Sequence, residues 1–200
     1  MGLNCVERGT VRRVGVDQVL ARAPREIIDG GVYHVFARGN ARAAIYLDEA
    51  DRLSYLRTLG AVTVTAGWRC LSYCLMENHV HLLLETPKGN LSSGMQQLHG
   101  GYAQRFNRRH GRVGHLFQGR YGAVRARTTK HVRDAAAYIA RNPVEASLCS
   151  RLEDWPWSSY RATLDGVAPA WLDVQRLLWY FGSSLSDFQS YSAVVAALDG

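Results

Sequence analysis

The sequence predicts an α+β protein, an antiparallel sheet with helices packed on it, and three observations predict it. Segments of strand and helix character alternate in the order strand, helix, strand, strand, helix, strand, helix. Two of the strand-like runs are separated only by Glu77 and Asn78, too short a link for anything but a hairpin. One helical run also carries its apolar residues on a single face, as a helix laid on a sheet must.

The organised chain begins after Pro24, and residues 1–23 are expected to form a loose arm. Gly30-Gly31 makes a turn, and Val32 to Ala37 is β-branched and aromatic, a strand that Arg38-Gly39-Asn40 breaks. Asp48 is a plausible N-cap with Glu49 and Asp51 in the first turn behind it. Leu53, Leu56 and Leu59 continue that helix at i+3 spacing, and Gly67 ends it. Trp68 to Met76 and His79 to Glu85 are the hairpin strands. Asn90 is expected to cap the next helix, whose face is Leu91, Met95, Leu98, Tyr102 and Phe106, with Gly111 as C-cap. Tyr121 to Arg127 reads as a strand. Thr128 or Thr129 caps a third helix that runs through Asn142 and is expected to stop at Pro143. The main domain is expected over residues 24–165, with a helical C-terminal extension over 166–200 that includes Trp171, Leu172, Leu177, Leu178 and Tyr180.

The chain has 200 residues, 47% of them hydrophobic, which suits one compact domain able to bury a core without staples. Cys5, Cys70, Cys74 and Cys149 form neither a CxxC pair nor a secreted disulfide framework, so a reducing cytoplasmic setting fits them. No apolar run approaches membrane-spanning length, and Arg12, Arg13 and Asp17 interrupt any signal-peptide pattern. Twenty-four Lys and Arg against 17 acidic residues give a net charge of +7, which favours an anionic partner such as nucleic acid. Charge alone leaves a merely soluble basic protein equally open. The basic residues are concentrated, however. Arg105, Arg108, Arg109, Arg112, Arg120, Arg125 and Arg127 follow one another without an intervening acid, and Phe117, Gln118 and Tyr121 lie among them. Cations for phosphates beside aromatics for bases suit a single strand.

Residues that could carry chemistry lie elsewhere. In His79-Val80-His81 both imidazoles point to one face of a strand, while Val80, Leu82 and Leu84 point to the other. Two adjacent imidazoles begin a divalent metal site, although an isolated pair is as easily two half-exposed strand histidines. Tyr138 and Asn142 share one helix face four residues apart. Asn142 can offer an amide oxygen to a hard ion such as magnesium or manganese, and Tyr138 can attack a phosphorus beside it. Taken singly, Tyr138 could equally be a packing tyrosine and Asn142 a pre-proline helix end.

Leu75-Met76-Glu77-Asn78-His79-Val80-His81-Leu82-Leu83-Leu84-Glu85 resembles the HUH motif (His, hydrophobic, His) of single-tyrosine transposases, and is most similar to that of REP-associated tyrosine transposases and their insertion-sequence relatives. Tyr33 to Asn40 resembles that family's first strand, Phe106 to Gly111 and Gly114 to Tyr121 its central segment, Tyr138 to Val144 its tyrosine segment, and Asp154 to Tyr160 its closing motif. The order is the same, over residues 24 to 182. Glu77 departs from the proline or glycine common at that turn.

The resemblance implies a ferredoxin-like (RRM-like) core and a bacterial, nucleoid-associated enzyme. It implies His79, His81 and Asn142 as ligands of Mg2+ or Mn2+, and Tyr138 as the nucleophile that forms a 5′-phosphotyrosine. The implied substrate is single-stranded DNA beside a hairpin or palindromic repeat. Arg38, Asn40, Arg105, Arg108, Arg109, Gln118, Arg120 and Tyr121 are the expected DNA contacts. Monomer and homodimer, and use of Tyr138 within or across subunits, stay open. The alternative is a module of the same fold that binds hairpin DNA or RNA without cutting it.

Overall fold

The computed structural model describes residues 26–197, so the arm expected at 1–23 lies outside the described residues. Four strands, β1 (Gly31–Arg38), β2 (Arg69–Leu75), β3 (His79–Thr86) and β4 (Gly122–Ala126), form one antiparallel sheet in the order β2-β3-β1-β4. Helices α1 (Glu49–Ala66) and α2 (Leu91–His110) precede β2 and β4, and α3 (Thr129–Glu145) follows the sheet. This is the ferredoxin-like arrangement. The described C-terminal residues add α4 (Tyr160–Asp165), α5 (Val174–Trp179) and α6 (Leu185–Ala197).

Strand alternation sorts the side chains into two cores. Tyr33, Val35, Ala37, Val80, Leu82 and Leu84 face α1 and α2, where Tyr55, Leu59, Met95, Leu98, Tyr102 and Phe106 close the first core. Val32 and Leu83 face the other way, against Val132, Ala136, Ile139 and Ala140 of α3 and Phe181 and Phe188 beyond it. A register shift between Cys70 and Ser72 interrupts the alternation of β2, so that Cys70 and Tyr73, three apart, both enter the first core. The C-terminal segment covers the β2 edge: Asp173 N donates to Cys70 O at 2.8 Å and Ser159 N to Tyr73 O at 3.0 Å. Glu85, buried at the end of β3, accepts from Arg176 Nε of α5 at 2.8 Å.

Asp48 caps α1 by accepting from Asp51 N at 3.0 Å, and Thr128 caps α3 by accepting from His131 N at 3.2 Å. Gly67 and Gly111 end α1 and α2 in the left-handed conformation, at φ 66° and 60°. Leu53 is exposed, and the buried stripe of α1 runs through Asp51, Tyr55, Leu59 and Val62, because steps of three residues drift around a helix of 3.6 per turn. Two local expectations are corrected. Asn90 makes no cap hydrogen bond. Its Oδ1 accepts from Trp68 Nε1 at 2.7 Å and its Nδ2 donates to Ala66 O at 2.8 Å, fastening the end of α1 instead. Pro143 does not stop α3, which continues to Glu145. One missing N–H is tolerated because the last turn is closed from beyond it, Ala146 N donating to Asn142 O and Leu148 N to Pro143 O.

Among the described residues no helix is long and apolar enough to cross a membrane.

Candidate active site

His79 and His81 point from β3 to the α3 side of the sheet, their rings 5.0 Å apart and nearly perpendicular, while Val80 enters the opposite core. Tyr138 projects from α3 onto them, its ring 5.4 Å from that of His81. Asn142 lies one turn further along α3 on the same face, Nδ2 donating to the Tyr138 carbonyl at 2.8 Å, and its side chain acts on the ionisation of both His79 and Tyr138. The four residues singled out in sequence are therefore neighbours, although 57 residues separate His81 from Tyr138.

Orientation follows from the partners. Asn78 Nδ2 donates to Arg42 O at 3.0 Å, which turns its Oδ1 to His79 Nδ1, 2.7 Å away. His79 thus carries its proton on Nδ1 and keeps a lone pair on Nε2. Asn142 Nδ2 donates to Tyr138 O at 2.8 Å, which leaves its Oδ1 lone pairs uncommitted. His79 Nε2 and Asn142 Oδ1 are thus both lone-pair atoms of the kind a cation takes. The donors, imidazole nitrogen and amide oxygen, suit a divalent ion such as manganese or magnesium. Among the described residues no three or more His, Cys, Asp or Glu are grouped to hold a metal.

The electrostatics keep these rings neutral and open. Burial pushes the His81 pKa well below its usual value, and the His34, His79 and Arg38 charges add to it. Burial and Arg38 also lower that of His79, against the Asn142 hydrogen bond. Burial raises the Tyr138 phenol pKa, while Asn142, Arg38 and Arg141 pull it down. Arg38 sits opposite His79 in the β1–β3 register, and its charge acts on both His79 and Tyr138.

His34 and Phe36 are participants that the sequence reading left as ordinary strand residues. Both lie on β1 facing α3, His34 Nε2 only 3.0 Å from His81 Nδ1. Burial lowers the His34 pKa to about 4. Its signal was available only through the pairing of β1 with β3, which sets His34 against Leu83 and beside His81. Phe36 packs 6.3 Å from the His81 ring and opposite Gly122. A Cβ on Gly122 would lie 2.3 Å from the Phe36 ring. Gly122→Val is therefore expected to drive Phe36 toward His81, lowering stability by about 1–3 kcal/mol in urea unfolding.

The expected DNA contacts divide. Asn40 N donates to Leu116 O and Gln118 N to Arg38 O, both at 2.9 Å, so residues 116–118 extend the end of β1 that carries the site. Asn40, Gln118 and Arg120 are exposed at that end. Arg105 and Arg109 are exposed on α2, across the sheet from Tyr138, and are bound within the protein, Arg105 to Thr58 and Arg109 to Asp48 and Asp51. Arg125 and Arg127 each reach Glu26 at 2.7 Å. Arg108 is exposed at the end of α2. Tyr121 is buried in the first core with its hydroxyl 3.2 Å from that of Ser92, so its ring is no platform for a base.

A ferredoxin-like sheet with paired histidines on its third strand and a tyrosine on the helix across from them defines the class of HUH transposases. The chain belongs to the IS200-like transposase family, whose model it matches over residues 28–142. Among solved structures it is similar to a REP-associated tyrosine transposase bound to a REP hairpin, at 21% identity and a TM-score of 0.62, covering 75% of this chain and 89% of that one. That likeness is one of fold. A candidate transposase from Deinococcus radiodurans R1 is 20% identical with a TM-score of 0.42, covering 57% of this chain and 92% of that one. No curated protein matches.

Proposed function

We propose that this chain binds single-stranded DNA beside a hairpin and cuts and rejoins it through Tyr138. The observation that carries the reading is the Tyr138 ring standing edge-on 5.4 Å from that of His81, with Asn142 one turn away on the same face of α3. His79, His81 and Asn142 would hold Mg2+ or Mn2+, which when bound supplies polarisation of a phosphate oxygen. Asn142 and Arg38 favour the phenolate of Tyr138, countering the burial that disfavours it. The phenol oxygen attacks phosphorus, the bond from phosphorus to the 3′ oxygen breaks, and that oxygen leaves as a 3′-hydroxyl. The phenol gives up its proton and the leaving oxygen gains one, so the step is neutral overall. A 3′-hydroxyl attacking the 5′-phosphotyrosine reverses the step and rejoins strands.

The hairpin-bound relative supports the class of substrate, and Arg38, Asn40, Arg108, Gln118 and Arg120 are proposed to contact it. The test is incubation with single-stranded hairpin oligonucleotides and Mg2+, followed by a denaturing gel. A covalent protein–DNA species is expected. Binding with no adduct across many repeats would instead make the chain a hairpin-binding module. Affinity should also fall with salt, log K against log salt having a slope of roughly −0.7 per phosphate contacted. A salt-independent affinity would remove the phosphate contacts from the account.

A further inference from the structure

His34 lies outside the residues that the metal or the strand transfer requires, yet it is built into the site from the neighbouring strand. Its Nε2 is 3.0 Å from Nδ1 of His81, with ring centres 5.1 Å apart and planes inclined by 34°. The Tyr138 ring stands edge-on 5.6 Å from it. His81 is buried, so the hydrogen bond between the two rings is shielded from water.

Two neutral imidazoles share one proton in such a bond, and the direction has a chemical consequence. If His34 donates, Nδ1 of His81 is the acceptor and its Nε2 carries hydrogen, which blocks ligation at that atom. If His81 donates, its Nε2 is a bare lone pair facing the cleft. His79 provides the parallel: its Nδ1 is engaged by Asn78 Oδ1, which Arg42 O orients. Each histidine of the pair therefore has its own Nδ1 partner, a backbone-anchored amide for one and a ring from the adjacent strand for the other.

We propose that His34 is a positioning residue, accepting the Nδ1 proton of His81 and so holding His81 in the tautomer that presents Nε2 to a divalent cation. The inference rests on the proposed reading of His81 as a metal ligand. It gives β1 a share in the site and explains why a polar ring stands on a strand face otherwise filled by Val32 and Phe36.

The test compares wild type, His34→Leu and His34→Gln. Leucine removes the acceptor, while glutamine places an amide oxygen close to where Nε2 stood. Ring nitrogens are first observed by 15N NMR in metal-free protein at neutral pH. His81 is expected as the Nδ1–H tautomer in wild type and in His34→Gln, and displaced toward Nε2–H in His34→Leu. Mn2+ affinity, followed by the EPR signal of free ion, is expected to fall roughly 10- to 100-fold in His34→Leu and to recover in His34→Gln. A wild-type His81 protonated on Nε2 would overturn the inference, and so would a folded His34→Leu with the wild-type tautomer and Mn2+ affinity. Failure of wild type to bind Mn2+ would sink the metal reading itself. The tautomer measurement would still decide whether His34 sets the ring.

Discussion

Tyr138→Phe is expected to abolish the covalent protein–DNA species while leaving hairpin binding within about twofold of wild type. Only the phenol oxygen is lost. The ring, which packs edge-on against His34 and His81, is kept, so the neighbours stay in place. Asn142 Nδ2 is anchored on the backbone carbonyl of residue 138, which the substitution leaves in place. The measurement is a denaturing gel of labelled hairpin oligonucleotide beside a filter-binding titration. An adduct of undiminished yield would show that another nucleophile acts and would end the proposed mechanism. Loss of binding together with cleavage would instead mean that the ring, or the fold, depends on the hydroxyl.

The sequence made a large part of this site legible because its key residues come in short local patterns. Strand alternation puts His79 and His81 on one face, and helical spacing puts Tyr138 beside Asn142, whatever the rest of the chain does. The sheet and its hairpin followed from the same local rules. What joins two distant patterns was not legible. That β3 lies beside β1 brings His34 onto His81, and nothing within either segment reports it. The arginine run meets a similar limit. Composition treats every arginine as available to a phosphate, but ion pairs across long separations in sequence decide which are. Arg109 is tied to residues about sixty positions earlier, and Arg127 to Glu26, a hundred positions earlier. Tyr121 and Leu53 show the same limit for apolar residues. Aromatic or leucine character marks what can be buried, and the helix phase or strand end settles what is.

Asp51→Ala is expected to cost about 2–3 kcal/mol of folding stability, near the lower end for a broken buried ion pair because Arg109 itself stays half in water. The Asp51 carboxylate is only 2% exposed. It accepts from Leu47 N at 2.9 Å, from Arg109 Nη1 at 2.5 Å and lies 2.9 Å from His110 Nε2, so one side chain joins the start of α1 to the end of α2. Burial alone would raise its pKa, but the bonds from Leu47, His110 and Arg109 outweigh burial and hold it below the usual carboxylate value. A depressed carboxyl stabilises fully above its unfolded pKa, and that stability is lost as pH falls through the folded value. The gap between wild type and Asp51→Ala in urea unfolding should therefore be full at neutral pH and close in strong acid. A pH-independent gap would assign the effect to lost packing at the helix start. The same cluster separates two kinds of arginine in the proposed DNA interface. Arg109→Ala should lower stability with the salt slope of hairpin binding unchanged, because its guanidinium is committed to Asp48 and Asp51. Arg38→Ala should make that slope shallower by roughly 0.7 and leave the α1–α2 junction intact. Equal slopes for the two variants would mean that Arg38 meets no phosphate.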